Sequence, residues 1–344
     1  MKKSADEIRR AWGCLLGQIA GDSLGSQVEF KDEEKVRALY PAGMDELEGS
    51  PLYRTLPGQP TDDSEMALAL ARHLAENGNF DAGQVFAAYK KWLASHPVDF
   101  SHAVFRALHG KPDRRSEANC ALMRVSPLGI FGVRFVPETA LPCDDGKSVD
   151  MKAMAGSKGM RSLAALAMEE AALTNPHPLC LAASAVYVSA LAYGIKSGWR
   201  QGMGQAALAV AEDLPLWRED IPALEAKRVQ ECLMRAQKER PADYQSDMSH
   251  VLLALQNGFW QLFHAADAGA GVKNTVEKGG DAAANGAVAG ALLGAALDID
   301  SFPQQWADAV LACVPSAERA EKAQPRPEMY WPADFMPLAE KLLG

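Results

Sequence analysis

Polar and apolar positions along this 344-residue chain follow helical periodicity, and no stretch alternates with period two for long. Asp6 to Leu24 reads as a helix. A second, from about Ser64 to Glu76, places Met66, Leu68, Ala69, Leu70 and Leu74 on a mostly buried surface. The same pattern predicts helices near 82–95, 101–109, 161–173, 179–195, 202–213, 222–238, 247–266, 284–297, 303–313 and 335–343. Between them, 31–60 reads as an irregular connection punctuated by Pro41, Pro51, Pro57 and Pro60. Segments 111–117 and 137–160 are charged and turn-rich, and are expected to be surface loops. The tail 323–332, with three prolines, is expected to wrap the surface before a last short helix. There is no repeat, low-complexity tract or composition break, so the pattern predicts a single all-α domain over 1–344.

Two helical stretches carry glycine at every fourth position: Gly13, Gly17, Gly21 and Gly25 in the first, and Gly286, Gly290 and Gly294 near the end. That spacing puts each set on nearly one face. Each glycine lowers helix stability by about 1 kcal/mol relative to alanine, so close approach of a neighbouring backbone is the expected gain. Pro178 to Ile195 has no charged residue and is long enough to raise the question of a membrane span. With serines and tyrosines inside it and no second such stretch, it reads as a buried core helix.

Composition narrows the picture. Apolar residues make up 48% but aromatics only 7%, with abundant alanine and glycine, which suits packed helices better than a β-sandwich. A net charge of −9 without a Lys/Arg-rich run argues against nucleic acid as partner. Cys14, Cys120, Cys143, Cys180, Cys232 and Cys313 are scattered without a CxxC pair, as expected of reduced core residues in a cytoplasmic protein. Met1-Lys2-Lys3 is followed by charged residues and not by the apolar run of a secretory signal.

Four acidic signals carry candidate chemistry. Thr61-Asp62-Asp63-Ser64 precedes a helix, where such residues often only cap it. Adjacent carboxylates with a hydroxyl also suit Mg²⁺, which prefers oxygen ligands. Gly279-Gly280 delivers Asp281 to the start of the late small-residue helix, and capping competes with a site role there too. Asp22 and Glu29 lie among Gly21 and Gly25, where a carboxylate can act as a positioned acid or base or be simply solvated. Asp99, in Pro97-Val98-Asp99-Phe100-Ser101-His102, reads first as a helix cap.

Taken together and in order, these segments resemble the ADP-ribosylglycohydrolase family. Gly13 to Gly25 with Glu29-Phe30 resembles the family's opening motif, and Thr61 to Ser64 its first metal motif. Ser116-Glu117-Ala118-Asn119, then Met123-Arg124-Val125 and Pro127-Leu128-Gly129, resembles its ligand loop; Thr174-Asn175-Pro176-His177-Pro178 resembles its Thr-His motif. Gly279-Gly280-Asp281 with the Asn285 to Gly294 helix resembles its second metal motif, so the matches span 13–297, leaving 298–344 as a C-terminal wrap.

The resemblance implies an orthogonal all-α fold with a central cleft holding two Mg²⁺ ions (or Mn²⁺). It also implies hydrolysis of the glycosidic bond from ADP-ribose C1″ to an acceptor, with ADP-ribosyl-arginine on protein the first substrate to try. Carried over by motif, Thr61, Asp62, Asp63 and Asp281 are metal ligands. Glu29 positions or activates the attacking group, and Asp99 is an acid/base. Ser116, Glu117, Ala118, Asn119, Asn175, His177, Gly279 and Gly280 lie at the substrate.

The second metal motif departs from its usual Gly-Gly-Asp-Thr-Asp-Thr-Asn form. Ala282-Ala283-Ala284 stands where Thr-Asp-Thr is expected, and alanine offers no ligand atom. At least one metal site is therefore expected to be weakened, whether the run is natural or engineered. Besides an ADP-ribosylated protein as substrate, the sequence admits an inactive module that binds ADP-ribose or neutralises an ADP-ribosylating toxin or transferase. A metal-dependent hydrolase of nucleotides or phosphate esters is a third reading.

Overall fold

The computed structural model describes residues 3–142, 149–319 and 323–344; Met1, Lys2, Cys143 and the middle of the 137–160 segment lie outside them. Sixteen α-helices follow in order among these residues: α1 Ala5–Gly25, α2 Glu33–Leu39, α3 Asp62–Asn77, α4 Ala82–Ala94, α5 His102–Leu108, α6 Ser126–Phe131, α7 Met151–Ala155 and α8 Lys158–Ala172, then α9 Pro178–Ser197, α10 Arg200–Trp217, α11 Ala223–Ala236, α12 Val251–His264, α13 Ala268–Val276, α14 Ala282–Leu297, α15 Gln304–Leu311 and α16 Phe335–Leu343. Among the described residues no strand forms, and the only extended pairings are the bridges Asp32 to Gly279 and Ala118 to His250. The all-α expectation is met.

The most extensive helix pair is α1 with α14. Their glycine faces meet each other, running antiparallel. A Cβ added at Gly17 would lie 2.1 Å from the Gly290 carbonyl oxygen, and one at Gly21 would lie 2.1 Å from that of Gly286. Gly13 meets Gly294, and Gly25 meets Ala282, in the same way. Each lost Cβ admits the opposite backbone, which is why both helices tolerate the low propensity of glycine. Every residue of α14 from Ala282 to Ala296 is buried, as expected of a helix apolar all round. α9 likewise packs inside the body against α8, α10, α14 and α6, consistent with the core reading of its uncharged stretch.

Several boundaries differ from the sequence reading. Asp32 caps a short helix, α2, inside the segment read as irregular, because the prolines there begin only at Pro41. Part of 137–160 is helical: α7 and the first turn of α8 are capped by Asp150 and Ser157. The stretch 122–135 folds into 3₁₀ turns and α6, pieces too short to leave a periodic signal. The expected helix 247–266 begins only at Val251, capped by His250, whose Nδ1 accepts the Leu252 N–H. Asp267 then starts α13, which the sequence pattern did not resolve.

The tail does wrap the body. Arg326 is nearly fully buried and pairs with Glu65 of α3 at 2.7 Å, while Arg72 holds the Met329 and Trp331 carbonyls.

Candidate active site

Two helix N-termini, those of α3 and α14, face one cavity of about 420 Å³. Both are capped from outside. Thr61 and Asp281 occupy the N-cap positions, yet neither uses its side chain to cap. Asp22 of α1 caps α3 instead: its carboxylate accepts the Thr61 N–H at 3.1 Å, the Ser64 N–H at 3.0 Å and the Thr61 hydroxyl at 2.8 Å. Glu29, just beyond α1, caps α14 by accepting the Ala283 N–H at 2.8 Å. The simple capping role that competed for Thr61 and Asp281 is thus taken over by the α1 carboxylates. Asp62, Asp63 and Asp281 are left free to line the cavity. The glycine contact between α1 and α14 makes this exchange geometrically available.

The acids are crowded and dehydrated. Glu29, Asp62 and Asp63 are buried, and one oxygen of Asp63, Oδ1, has no hydrogen-bond partner. Burial, reinforced by repulsion from neighbouring carboxylates, pushes the Asp62, Asp63 and Glu29 carboxyls well above their ordinary range. Burial raises Asp22 to about 6 despite its hydrogen bonds from Thr61 and Ser64. Asp281 is raised by burial and partly relieved by Asn119, whose Nδ2–H it accepts at 2.9 Å.

The predicted residues separate into two groups. Glu29, Thr61, Asp62, Asp63, Asp99, Ser116, Ala118, Asn119 and Asp281 line the one cavity. Glu117, Asn175, His177, Gly279 and Gly280 stand behind its wall. Glu117 turns away to Arg228 at 2.7 Å and His250 at 2.8 Å, with His177 at 3.6 Å. The Arg228 contact chiefly holds its carboxyl down to about 2. Asn175 donates to the Ala118 carbonyl and accepts from Thr174, bracing the 116–119 loop from behind. Arg124, fully buried, ties the same loop to Glu170 and Thr174 through the Cys120 carbonyl. His177 caps α9. Gly279 and Gly280 both have positive φ, and a Cβ on them would strike the Lys31 and Tyr244 carbonyl oxygens at 1.9 and 2.0 Å. Only glycine allows that turn, and the turn aims Asp281. Asp99 is not the cap of α5: Ser101 fills that role, and Asp99 accepts hydrogen bonds from Tyr53 and the Phe100 N–H.

Sequence reasoning missed Phe30, Phe100, Arg106 and Ser249 in the cavity wall. Ser249 had no local signal: the Asn119 N–H bonds to its carbonyl, and its side chain relieves Asp281. Phe30 is a non-glycine residue at φ 61° and is exposed at the mouth. Ala283 also lines the cavity, so the missing side chain at that position falls within the site.

An all-α body with a carboxylate-lined cavity between two externally capped helix N-termini is an arrangement suited to acid-assisted hydrolysis. The ADP-ribosylglycohydrolase family model matches residues 3–329. This chain therefore belongs to the ADP-ribosylglycohydrolase family and is an enzyme hydrolysing glycosidic bonds to ADP-ribose. It is 27% identical over 306 residues to the ADP-ribosyl-[dinitrogen reductase] glycohydrolase of Rhodospirillum rubrum, covering 86% of this chain and 88% of that one. It is 30% identical over 143 residues to the ADP-ribosylarginine hydrolase Tri1 of Pseudomonas putida (strain GB-1), covering 36% of each. A solved structure titled ADP-ribosylglycohydrolase-related protein complex shares the fold with a TM-score of 0.69 at 24% identity, covering 99% of both chains.

Proposed function

We propose that this chain removes ADP-ribose from arginine side chains of modified proteins, with Mg²⁺ as the cofactor. The observation that carries the reading is the exchange of caps. Because Asp22 and Glu29 serve the helix termini, Asp62, Asp63 and Asp281 meet in one cavity of about 420 Å³, and none of the three has an ion-pair partner among the described residues. The relatives named for ADP-ribosyl-dinitrogen reductase and ADP-ribosylarginine supply the acceptor class.

Thr61, Asp62, Asp63 and Asp281 are the residues that would hold Mg²⁺. Their oxygens, including the unpartnered Asp63 Oδ1, suit a hard cation. Among the described residues no three carboxylate, imidazole or thiol groups already form a cage. Mg²⁺ keeps several waters when bound, so a few side-chain oxygens on one cavity wall are enough to hold it. When bound, the ion would orient ribose hydroxyls and polarise an oxygen. The remaining work falls to the chain's own groups. Cleavage develops positive charge at the anomeric carbon, and the buried carboxylates stabilise it. Glu29, with Oε2 fixed by the Ala283 N–H and its carboxyl beside Asp281, is placed to position or activate the attacking water. Asp99 is the candidate to exchange a proton with the acceptor. Ser116 and Asn119 hold the diphosphate side, and Arg106, which has no ion-pair partner among the described residues, adds a positive charge to the same wall.

The test is ADP-ribose release from an arginine-modified protein with Mg²⁺, Mn²⁺ or chelator, using the natural chain and an Ala282→Thr/Ala283→Asp/Ala284→Thr variant. Metal-dependent release by the chain itself supports the reading, and release by the variant alone favours the second reading below. No release from both rejects it. Ala283 in the cavity wall favours a second reading, a module that binds ADP-ribose without turnover. Tight calorimetric binding of ADP-ribose with no release from the natural chain selects it.

A further inference from the structure

Asp99 enters the cavity wall between α4 and α5 with both oxygens already oriented. Oδ1 accepts the Phe100 N–H at 2.8 Å, and Oδ2 accepts the Tyr53 hydroxyl at 2.7 Å. Each oxygen keeps a further lone pair for an incoming donor. Tyr53 comes from a turn braced at several points. Its N–H donates to Ser50 Oγ at 3.3 Å, the Ser50 hydroxyl donates to the Ser26 carbonyl at 2.6 Å, and the Gln324 N–H holds the Arg54 carbonyl at 3.1 Å. The half-buried phenol therefore reaches Asp99 from a fixed platform tied to the end of α1. Burial, with Glu29 and Asp99 nearby, pushes its pKa above the ordinary phenol value, so it remains a hydrogen-bond donor. The cavity wall is acidic on balance, with Glu29, Asp62, Asp63 and Asp281 against the guanidinium of Arg106, and Phe30 and Phe100 expose ring surface at the mouth.

We propose that Tyr53 is a specificity-determining residue that presets the Asp99 carboxylate as a fork for the planar cation of the acceptor, a guanidinium, without touching the ADP-ribose half. The proposal rests on the reading that ADP-ribose occupies this cavity. A planar guanidinium matches a carboxylate by two parallel N–H donors, and the match depends on the carboxylate plane being held. A freely rotating Asp99 would lose that orientation while leaving the ribose and diphosphate contacts intact. The consequence is a selective effect: loss of the Tyr53 hydroxyl weakens the acceptor contribution to binding and spares ADP-ribose itself.

The experiment is calorimetry in chelator, comparing ADP-ribose with ADP-ribosyl-agmatine, whose guanidinium stands for the acceptor. It is run on the natural chain, Tyr53→Phe, Asp99→Asn and the double variant, with melting curves confirming that each is folded. The natural chain is expected to bind ADP-ribosyl-agmatine at least tenfold more tightly than ADP-ribose. Tyr53→Phe should cut that preference several-fold at unchanged ADP-ribose affinity, and Asp99→Asn should abolish it. The double variant should be no worse than Asp99→Asn, since the two residues act through one contact. Equal affinity of the natural chain for both compounds overturns the proposal, as does an equal loss for both compounds in Tyr53→Phe or an additive double variant. Failure of the natural chain to bind ADP-ribose both in chelator and with Mg²⁺ instead overturns the ADP-ribose reading beneath it. Should Tyr53→Phe melt early, Tyr53→His, which retains a ring and a donor, must restore the preference; if it folds without doing so, the proposal fails.

Discussion

Replacing Gly21 with alanine should destabilise the protein and disable the site, although alanine is the better helix former. In an unconstrained helix the change would stabilise by about 1 kcal/mol. Here the new Cβ would lie 2.1 Å from the Gly286 carbonyl oxygen and 2.4 Å from its carbon, against 3.4 Å or more in ordinary contact. The obstacle is backbone, which no rotamer change can relieve, so α1 and α14 must separate by about 1 Å. Overpacking of this kind costs about 1–3 kcal/mol. It also draws Glu29 away from the Ala283 N–H and shifts Asp281 relative to Asp62 and Asp63. Gly83, near the start of α4, is the control: its nearest neighbour to an added Cβ is a side-chain oxygen of Asp81 at 3.3 Å. Urea unfolding followed by circular dichroism should show Gly21→Ala below the natural chain and Gly83→Ala at or above it, and ADP-ribose release should fall at least tenfold only in the former. A Gly21→Ala protein that unfolds at the same urea concentration and keeps full activity would refute the coupling of glycine packing to site geometry.

Asp22→Ala leaves the Thr61 and Ser64 N–H groups buried without an acceptor and should cost about 2–4 kcal/mol in urea unfolding, with loss of activity though Asp22 lies outside the cavity wall. Mg²⁺ at about 100 times its dissociation constant should stabilise by about 2.7 kcal/mol, read as a rise in Tm that chelator reverses and Asp63→Asn removes. Glu117 is held low, at about 2, chiefly by Arg228, so its ion pair contributes fully above the ordinary value of 4.5 and is lost as pH falls through 2. Lowering the carboxyl from 4.5 to about 2 is worth on the order of 1–3 kcal/mol once solvent screening is allowed for, so Glu117→Gln should flatten the decline of Tm between pH 5 and 2.5. Arg326→Met leaves Glu65 buried and unpaired and should destabilise by about 3–5 kcal/mol, most of it recovered by adding Glu65→Leu.

The sequence revealed the helical class and most helix cores because amphipathic and all-apolar segments carry their own period. It revealed the cavity acids as ordered motifs, and nine of the residues marked for the site do meet in one cavity. Which of two neighbours turns inward was not legible. Ser116 and Asn119 face the cavity while Glu117 between them faces Arg228, a partner 111 residues away. Nor could spacing separate a capping side chain from one turned to the cavity at Thr61 or Asp281, because the substitute caps, Asp22 and Glu29, come from a different helix region. The two glycine stripes were visible singly; that they face each other is a fact of the fold.

The strap from Arg326 to α3 bears on how the molecule is made. Glu65 lies in the same first turn as Asp62 and Asp63, and burying it before its cation arrives carries a penalty of several kcal/mol. During synthesis the amino-terminal helices emerge first, yet α1 waits for α14 and α3 waits for residue 326. The acid cluster is therefore expected to take its final form only after residue 326 has been made, and a ribosome stalled before that point would carry a chain with its motifs present and its acidic cavity unbuilt.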